Sequence, residues 1–316
     1  MWEIIATSFE NVVPLFAVVF VGYALRCLNV LDGGAAEPLN ALCFRLLLPC
    51  LCIRSLQAVT FDFAYLRMAL YIAATYAVAI PALCVLVPRL IPRRGQAGAV
   101  VQAAFRSNVV MIGIPLMQNI CGADNMGPIL IGGAETLLLF NFAAVIVLGR
   151  FSEKSGEVHV DFAAVARSVA RNPVIIGTLL GILLRLLPIT LPALIAEPLD
   201  GFADCASPIA MLAIGLRFRF AGLRSSRRAI LFAAPVKLLV MPLVWTTVAA
   251  MLGYRGALLC AVFLVHACPP ATVCVAMADA MGCDSDLAGE LVLVSTALSI
   301  LTVFFGVVLL RAFALI

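Results

Sequence analysis

Two adjacent prolines, Pro269 and Pro270, stand near the middle of Ala257–Cys283, an apolar stretch long enough to cross a bilayer. Proline has no N–H, and its ring clashes with the carbonyl four residues back. The carbonyls of Val265 and His266 therefore lose their helical partners, a loss that hydrocarbon does not tolerate unless protein, water or a ligand meets them. A second interruption is written into Arg106-Ser107-Asn108 followed by Gly113-Ile114-Pro115. Pro115 frees the carbonyl of Met111, and Gly113 lets another backbone come close. Helices broken at mid-membrane line substrate cavities in transporters. If two such breaks cross, half-helix N-termini begin just after Pro115 and Pro270, each carrying roughly half a positive charge. Such ends favour an anion, typically a carboxylate. Asn108 would add an amide donor and Thr272 a hydroxyl. The substrate-binding candidates are thus Asn108, Gly113, Pro115, His266, Pro269, Pro270 and Thr272. The plainer alternative is a pair of proline kinks packed between neighbours, with Asn108 making an interhelical hydrogen bond.

Three titratable groups fall inside apolar runs: His266, Glu135 and Lys237. Ionisable residues at that depth are rare and are paired or functional, and a histidine titrates in the range a proton carrier needs. These three are the ion-coupling candidates. Against them stand a structural role for His266 and a Lys237–Glu135 pair at matching depth. Arg45 and Asp204 are a further pair expected from depth. Asp279, Asp284 and Asp286 cluster near the end of the proline-broken stretch and invite a metal-dependent membrane enzyme as a second class of function, but a loop there must be polar in any case. The eleven cysteines lie mostly in apolar runs without a CxxC or a Cys/His cluster. They read as small apolar fillers, with no metal site and no cofactor expected.

The elements that carry these residues follow from composition. The chain is 64% hydrophobic and 12% charged over 316 residues, with a mean hydropathy of +1.13. A soluble domain is about 45–50% apolar and about 25% charged. Soluble folds are excluded, and the net charge of +4 carries no nucleic-acid signature. The reading is an all-α polytopic membrane protein with ten transmembrane helices. They fall at about Ile4–Leu28, Ala36–Gln57, Leu66–Ile91, Ala97–Ile120, Met126–Arg150, Ser168–Leu187, Leu194–Leu216, Ile230–Leu252, Ala257–Cys283 and Leu287–Leu310. The N-terminus lacks a basic n-region and reads as a first span rather than a cleaved signal. The longest connector, after the fifth span, contains His159, an ordinary solvated loop residue.

Thirteen Lys and Arg residues fall on the odd-numbered connections, against five on the even ones and the C-terminus. The odd connections are therefore cytoplasmic, with both termini outside, as expected for a plasma (inner) membrane protein. An internal repeat is visible. Ala36-Glu37-Pro38-Leu39-Asn40 opens the second span and Ala196-Glu197-Pro198-Leu199-Asp200 the seventh, 160 residues on; Pro49 and Pro208 recur 159 apart, and Arg150 and Arg311 161 apart. Spans 4 and 9, the two broken ones, hold equivalent places. Five spans per unit is an odd number, so the halves, 1–160 and 161–316, have opposite topology. This is a 5+5 inverted repeat with its site at the repeat interface.

RSNVVMIGIPLM (106–117), followed by HACPPATVCVAMADAMGCDSDLAGELVLVSTALSILTV (266–303), resembles the auxin efflux carrier family in its short bacterial form. The shared marks are Arg-x-Asn…Gly-x-Pro in span 4, Pro-Pro-Ala-Thr in span 9, and Ser295, Thr296, Ser299 and Thr302 in span 10. The resemblance implies a scaffold of spans 1, 2, 6 and 7 and a mobile transport unit of spans 3–5 and 8–10, with spans 4 and 9 crossing at the substrate. It implies an elevator-like permease for small organic anions, carboxylates such as malate or malonate in bacteria and auxin in plants. The long cytoplasmic loop of plant members is absent, and His266 stands where a small or apolar residue is expected. The bile-acid/sodium symporter family shares the architecture and is the competing assignment. The expected partners are a small organic anion and the lipid bilayer, and a homodimer is left open as the assembly.

The orientation is directly testable. Ser225→Cys, made in a cysteine-free background, should stay unlabelled by a membrane-impermeant thiol reagent in intact cells; strong external labelling would overturn the topology.

Overall fold

The computed structural model describes residues 2–58, 62–153, 167, 170–187, 191–217 and 227–316, and all regular structure among them is helical. Among the described residues, eight helical stretches are long and apolar enough to cross a membrane. The sixth and ninth expected spans contain shorter apolar helices, Pro173–Leu186 and Gly256–Ala267. The ninth is short because Pro269 and Pro270 end it; the chain resumes as a separate helix, Val273–Ala280. His159 and most of the basic connector after the seventh span lie outside the described residues.

In chain order the helices are α1 (Trp2–Cys27), α2 (Ala36–Leu42), α3 (Leu48–Ala58), α4 (Phe63–Leu90), α5 (Arg94–Phe105), α6 (Ile114–Cys121) and α7 (Gly127–Phe151). Then come α8 (Pro173–Leu186), α9 (Ala193–Arg217), α10 (Arg227–Pro235), α11 (Met241–Met251), α12 (Gly256–Ala267), α13 (Val273–Ala280) and α14 (Ser285–Ala312). Side-chain caps set several starts. Asp62 accepts from Ala64 N at 3.1 Å, Asn172 from Val174 N at 3.0 Å and Asp284 from Leu287 N at 3.0 Å, each satisfying an N–H that a helix start leaves free.

Three spans are not uniform α-helix. α2 passes into α3, a five-residue gap leads from Asn108 into α6, and α10 passes into α11, each through a π turn: Cys43–Leu47, Val109–Gly113 and Val236–Val240. Each turn ends just before a proline at the second position of the next helix: Pro49, Pro115 and Pro242. A π turn takes one extra residue into the ring, and so re-registers the ladder where proline cannot donate. Pro115 is therefore absorbed, not broken at. The fourth span opens instead at Arg106–Asn108, which corrects the expectation that its second half begins after Pro115.

The fourth span is also the most enclosed. In its apolar window 94% is buried inside the protein, against 33–50% for the other seven long spans. Those others turn large apolar side chains outward, among them Leu70, Val78, Leu231, Leu243 and Phe305, as lipid-facing helices do. α1 packs along α9, α3 packs along α8 and α9, and these helices form one group. α4, α5, α7, α10, α11, α12, α13 and α14 pack mainly among themselves.

Two of the first group's contacts are made backbone to backbone. A Cβ on Gly22 would collide with Leu212 O, one on Gly215 with Val19 O, and one on Gly177 would lie 2.7 Å from Pro49 Cα. Small residues allow membrane helices this approach, which dispersion rather than the hydrophobic effect then rewards. An ion pair also ties the group, but a different one from that expected. Arg54, not Arg45, meets Asp204 at 2.6 Å and Asp200 at 4.0 Å. A sequence offset does not fix the helix face a residue occupies, so offset alone does not pair them.

Gly215→Ala should therefore lower the stability of the purified protein by about 1–3 kcal/mol through overpacking. Gly201→Ala, in the same helix with open space around it, should raise it by about 0.5–1 kcal/mol. Melting temperatures of the two variants in one detergent check the contrast.

Candidate functional site

The two breaks meet. α5 ends at Phe105, Arg106–Asn108 run without helix, and the backbone N–H of Asn108 donates to the carbonyl of Pro269 at 2.8 Å. Asn108 O accepts from Ile112 N at 3.1 Å and Gly113 N at 3.4 Å, and Asn108 Oδ1 lies 3.4 Å from Met111 N. Asn108 is thus the cap of the half-helix, and its side-chain amide nitrogen remains as a donor. On the other strand of the crossing, Cys268–Ala271 are extended or turn residues, and Thr272 caps α13 with its backbone alone. The carbonyl of Val265, deprived of a donor by Pro269, accepts from the Tyr76 hydroxyl at 3.1 Å.

A cavity of about 340 Å³ lies against this crossing. Asn108, Ser107, Arg106, Ala271 and Thr272 supply its crossover wall, and α7 contributes Thr136, Phe140 and Asn141. Asn40, in α2, and Asn172, at the start of α8, close it from the first helix group. A second cavity of about 250 Å³ shares Thr272 and runs between α9, α13 and α14 to Arg217. Both reach toward one end of the molecule, where Arg26 Nη1 donates to Leu216 O at 3.2 Å. At that end the start of α5, the residues just after α7 and the turn after α13 are also tied: Gly95 N to Glu153 Oε1 at 2.9 Å, Glu153 N to Gly282 O at 3.0 Å and Asp284 N to Gly95 O at 3.2 Å. At the opposite end Arg311 Nη2 donates to Ile120 O at 3.2 Å and Gly256 N to Leu315 O at 2.8 Å.

Of the residues singled out in sequence, Asn108 and Thr272 line the larger cavity. Pro269 holds the crossing through its carbonyl. Pro270, Gly113 and Pro115 are buried behind the wall, and Gly113 lies where a Cβ would come 3.3 Å from Cys268 Sγ. His266 is fully buried in a compact arrangement of its own. Its Nδ1 lies 2.8 Å from Val262 O, its Nε2 lies 3.0 Å from Thr75 Oγ1, and its ring stacks on Tyr76 at 4.9 Å between centroids.

Lys237 is likewise fully buried, but it does not pair with Glu135. Its Nζ donates to Ser107 Oγ, in the break of the fourth span. Glu135 Oε2 is buried without a partner. Equal depth sets the height of two side chains and not the faces they turn, which is why the pairing fails. The three coupling candidates therefore do not form one cluster. Asp284 is spent as the cap of α14 and accepts from Gln96 Nε2 at 3.2 Å, and among the described residues no three His, Cys, Asp or Glu side chains gather as a metal site would require.

Arg106, Ser107, Asn141, Asn40 and Asn172 were given no role from sequence. The signal was present, because each is polar beside an apolar run, but only the fold places them around one space. Arg106 is 3% exposed and donates from Nη2 to Asn141 Oδ1 at 2.8 Å and from Nη1 to Phe140 O at 3.3 Å.

A helical bundle with two interrupted membrane helices crossing beside a polar cavity is the construction of a membrane transporter rather than of an enzyme. The chain belongs to the family described as membrane transport protein, which it matches over residues 7–307, the family of the auxin efflux carriers. It is similar to an uncharacterized transporter of Methanothermobacter thermautotrophicus, 24% identical over 308 residues that cover 93% of this chain and 96% of that protein.

Tyr76→Phe tests how the ninth span's break is satisfied. The ring and its stacking on His266 remain, but the buried carbonyl of Val265 loses its donor, at a cost of about 1–3 kcal/mol. A melting temperature equal to the wild-type value would show that another donor serves that carbonyl.

Proposed function

We propose that this protein is a secondary transporter for a small organic anion, a carboxylate, which it binds at the crossing of the fourth and ninth spans. The observation that carries the reading is the cavity of about 340 Å³ bounded by both breaks. The half-helices that begin at Asn108 and Thr272 present their first N–H groups there. Half-helix N-termini with free donors favour a carboxylate. The cavity's volume falls within the range of about 300–1,000 Å³ that small-molecule sites occupy. Among the described residues no Asp or Glu lines it, so the dense carboxylate cage of a sodium site has no counterpart among them. Proton coupling, with His266, Glu135 and Lys237 as the titratable groups, or simple facilitated passage is the preferred energetics.

The mechanism we propose is an elevator-like shift in a ten-span, 5+5 inverted-repeat architecture, with spans 1, 2, 6 and 7 as scaffold and spans 3–5 and 8–10 as the moving unit. Packing supports this because contacts recur in matched pairs. α1 on α9 answers α8 on α3, and α7 on α4 answers α14 on α10. α12 on α7 answers α5 on α14. The basic connections would lie in the cytoplasm of a bacterial-type plasma membrane, with both termini outside. On that orientation both cavities reach toward the cytoplasmic side.

Two variants separate the site from the fold. Pro270→Ala restores an N–H that can bond His266 O, and alanine suits a helix interior better by about 3 kcal/mol. The protein should insert and melt no lower than the wild type, yet lose most of its transport, because helix kinked only at Pro269 then runs into the crossing. Asn108→Asp keeps the capping oxygen while replacing the amide donor with a second acceptor. It should leave the melting temperature nearly unchanged and weaken carboxylate binding by about 1.5–3 kcal/mol. Substrate affinity unchanged in both variants would remove the crossing from the binding site.

A further inference from the structure

Arg106 is a buried charge whose hydrogen-bond partners among the described residues are all neutral. Its guanidinium touches the Asn141 carboxamide at 2.8 Å, the Phe140 carbonyl at 3.3 Å and the Met277 sulfur at 3.4 Å. The residue is 3% exposed, and it lines the cavity at the crossing. Among the described residues the ion pairs are Arg54 with Asp200 and Asp204, and Arg93 with Glu153; no carboxylate lies within 4.0 Å of Arg106. Arginine does not deprotonate in proteins, and a charge taken out of water is costly unless an opposite charge meets it. Five N–H donors in a planar fork exceed what two carbonyl-type oxygens accept, and the fork matches a carboxylate. The fixed charge and the surplus donors therefore await an anion from outside the chain.

We infer that Arg106 is the residue that reads the substrate's negative charge. The carboxylate docks on its guanidinium beside the half-helix start at Asn108, and Asn141 holds the fork in position while the cavity is empty. This rests on the carboxylate reading of the site and adds the group that sets charge selectivity. It also separates Arg106 from Lys237, whose ammonium is turned away onto Ser107 and is absent from the cavity wall.

The test measures charge preference rather than affinity alone. Purified full-length protein is titrated with acetate, malonate, succinate, malate and phenylacetate, and with the corresponding amides, by calorimetry at fixed pH. The wild type should prefer the best-bound carboxylate to its amide at least tenfold. Arg106→Gln should bring that preference to within about twofold, and Arg106→Lys should restore part of it. Asn141→Asp is the second variant, for the case in which Arg106→Gln does not fold. It sets a built-in carboxylate against the guanidinium in place of a neutral oxygen, and should abolish the preference while leaving the melting temperature equal or higher. Equal weakening of carboxylate and amide in Arg106→Gln would mark a merely structural residue and overturn the assignment, as would an undiminished preference in Asn141→Asp. A carboxylate bound equally by wild type and Arg106→Gln overturns the role of Arg106 and leaves the carboxylate reading standing. Failure of the wild type to bind any of the five acids overturns both.

Discussion

The bond from Asn108 N–H to Pro269 O, 2.8 Å long, is the constraint on which the rest of the site depends. Within a bilayer a backbone group that leaves its helix has no water to turn to, so a helix can open at mid-membrane only where another part of the protein supplies the partner. Here each break partly answers the other. The fourth span's free N–H meets the ninth span's free carbonyl, and the carbonyl that Pro269 strands at Val265 is met by Tyr76 from α4. The satisfied breaks leave half-helix ends facing an enclosed space, and that space is the cavity. Because the closing bond joins α12–α13 to α5–α6, the fourth and ninth spans are bound into one body. Any displacement of the site relative to the membrane has to carry both.

The electrostatics of that body are one-sided. Arg106 and Lys237 are both buried near the break of the fourth span, and both use neutral oxygens as partners. Two half-helix starts add partial positive charge of the same sign. Among the described residues nothing acidic faces them from the cavity wall, and Glu135 turns elsewhere with one oxygen unpartnered. In a low-dielectric interior such an arrangement holds an unfavourable field while empty, and an entering anion relieves it.

How much of this was legible in the sequence follows from which signals are local. The all-helical membrane class, the ends of most spans and the break at Pro269–Pro270 are consequences of residue type, because apolar length and a missing N–H act wherever they occur. The break of the fourth span was displaced in the reading because Arg106–Asn108 contain no helix breaker. Their departure from the helix is paired with Pro269 across 161 residues of chain, while Pro115, the visible breaker, is absorbed by a π turn. Asn108 and Thr272 were found because they flank the prolines. Arg106, Asn141, Asn40 and Asn172 did not stand out, because the meaning of each lies in the helix face it occupies. The failed pairs, Lys237 with Glu135 and Arg45 with Asp204, have the same origin: sequence yields depth along a span, and contact also requires azimuth.

The glycines bear on how the protein could move. The close approaches they permit, to backbone in the first helix group and to side chains in the second, lie inside the groups. In the first, Gly22 and Gly215 seat α1 on α9, while Gly177 and Gly181 seat α8 on α3. In the second, Gly98 lies against Cys283 and Phe151, and Gly306 against the Phe263 ring. Contacts of that kind are specific in register, since a shift along the helix brings a Cβ where only a hydrogen fits. Across the boundary the contacts are of another kind. Phe9 meets Phe304 edge-on with centroids 6.4 Å apart, and Ser207 donates to Gln118 at 3.0 Å. Aromatic edges and single hydroxyl bonds can be exchanged for equivalent neighbours at modest cost, whereas interlocked backbones cannot. A protein that must slide one group past the other while keeping each intact would place its register-specific contacts within the groups and its exchangeable ones between them. That is the distribution these residues have, with the crossing of the fourth and ninth spans held wholly on one side of the boundary.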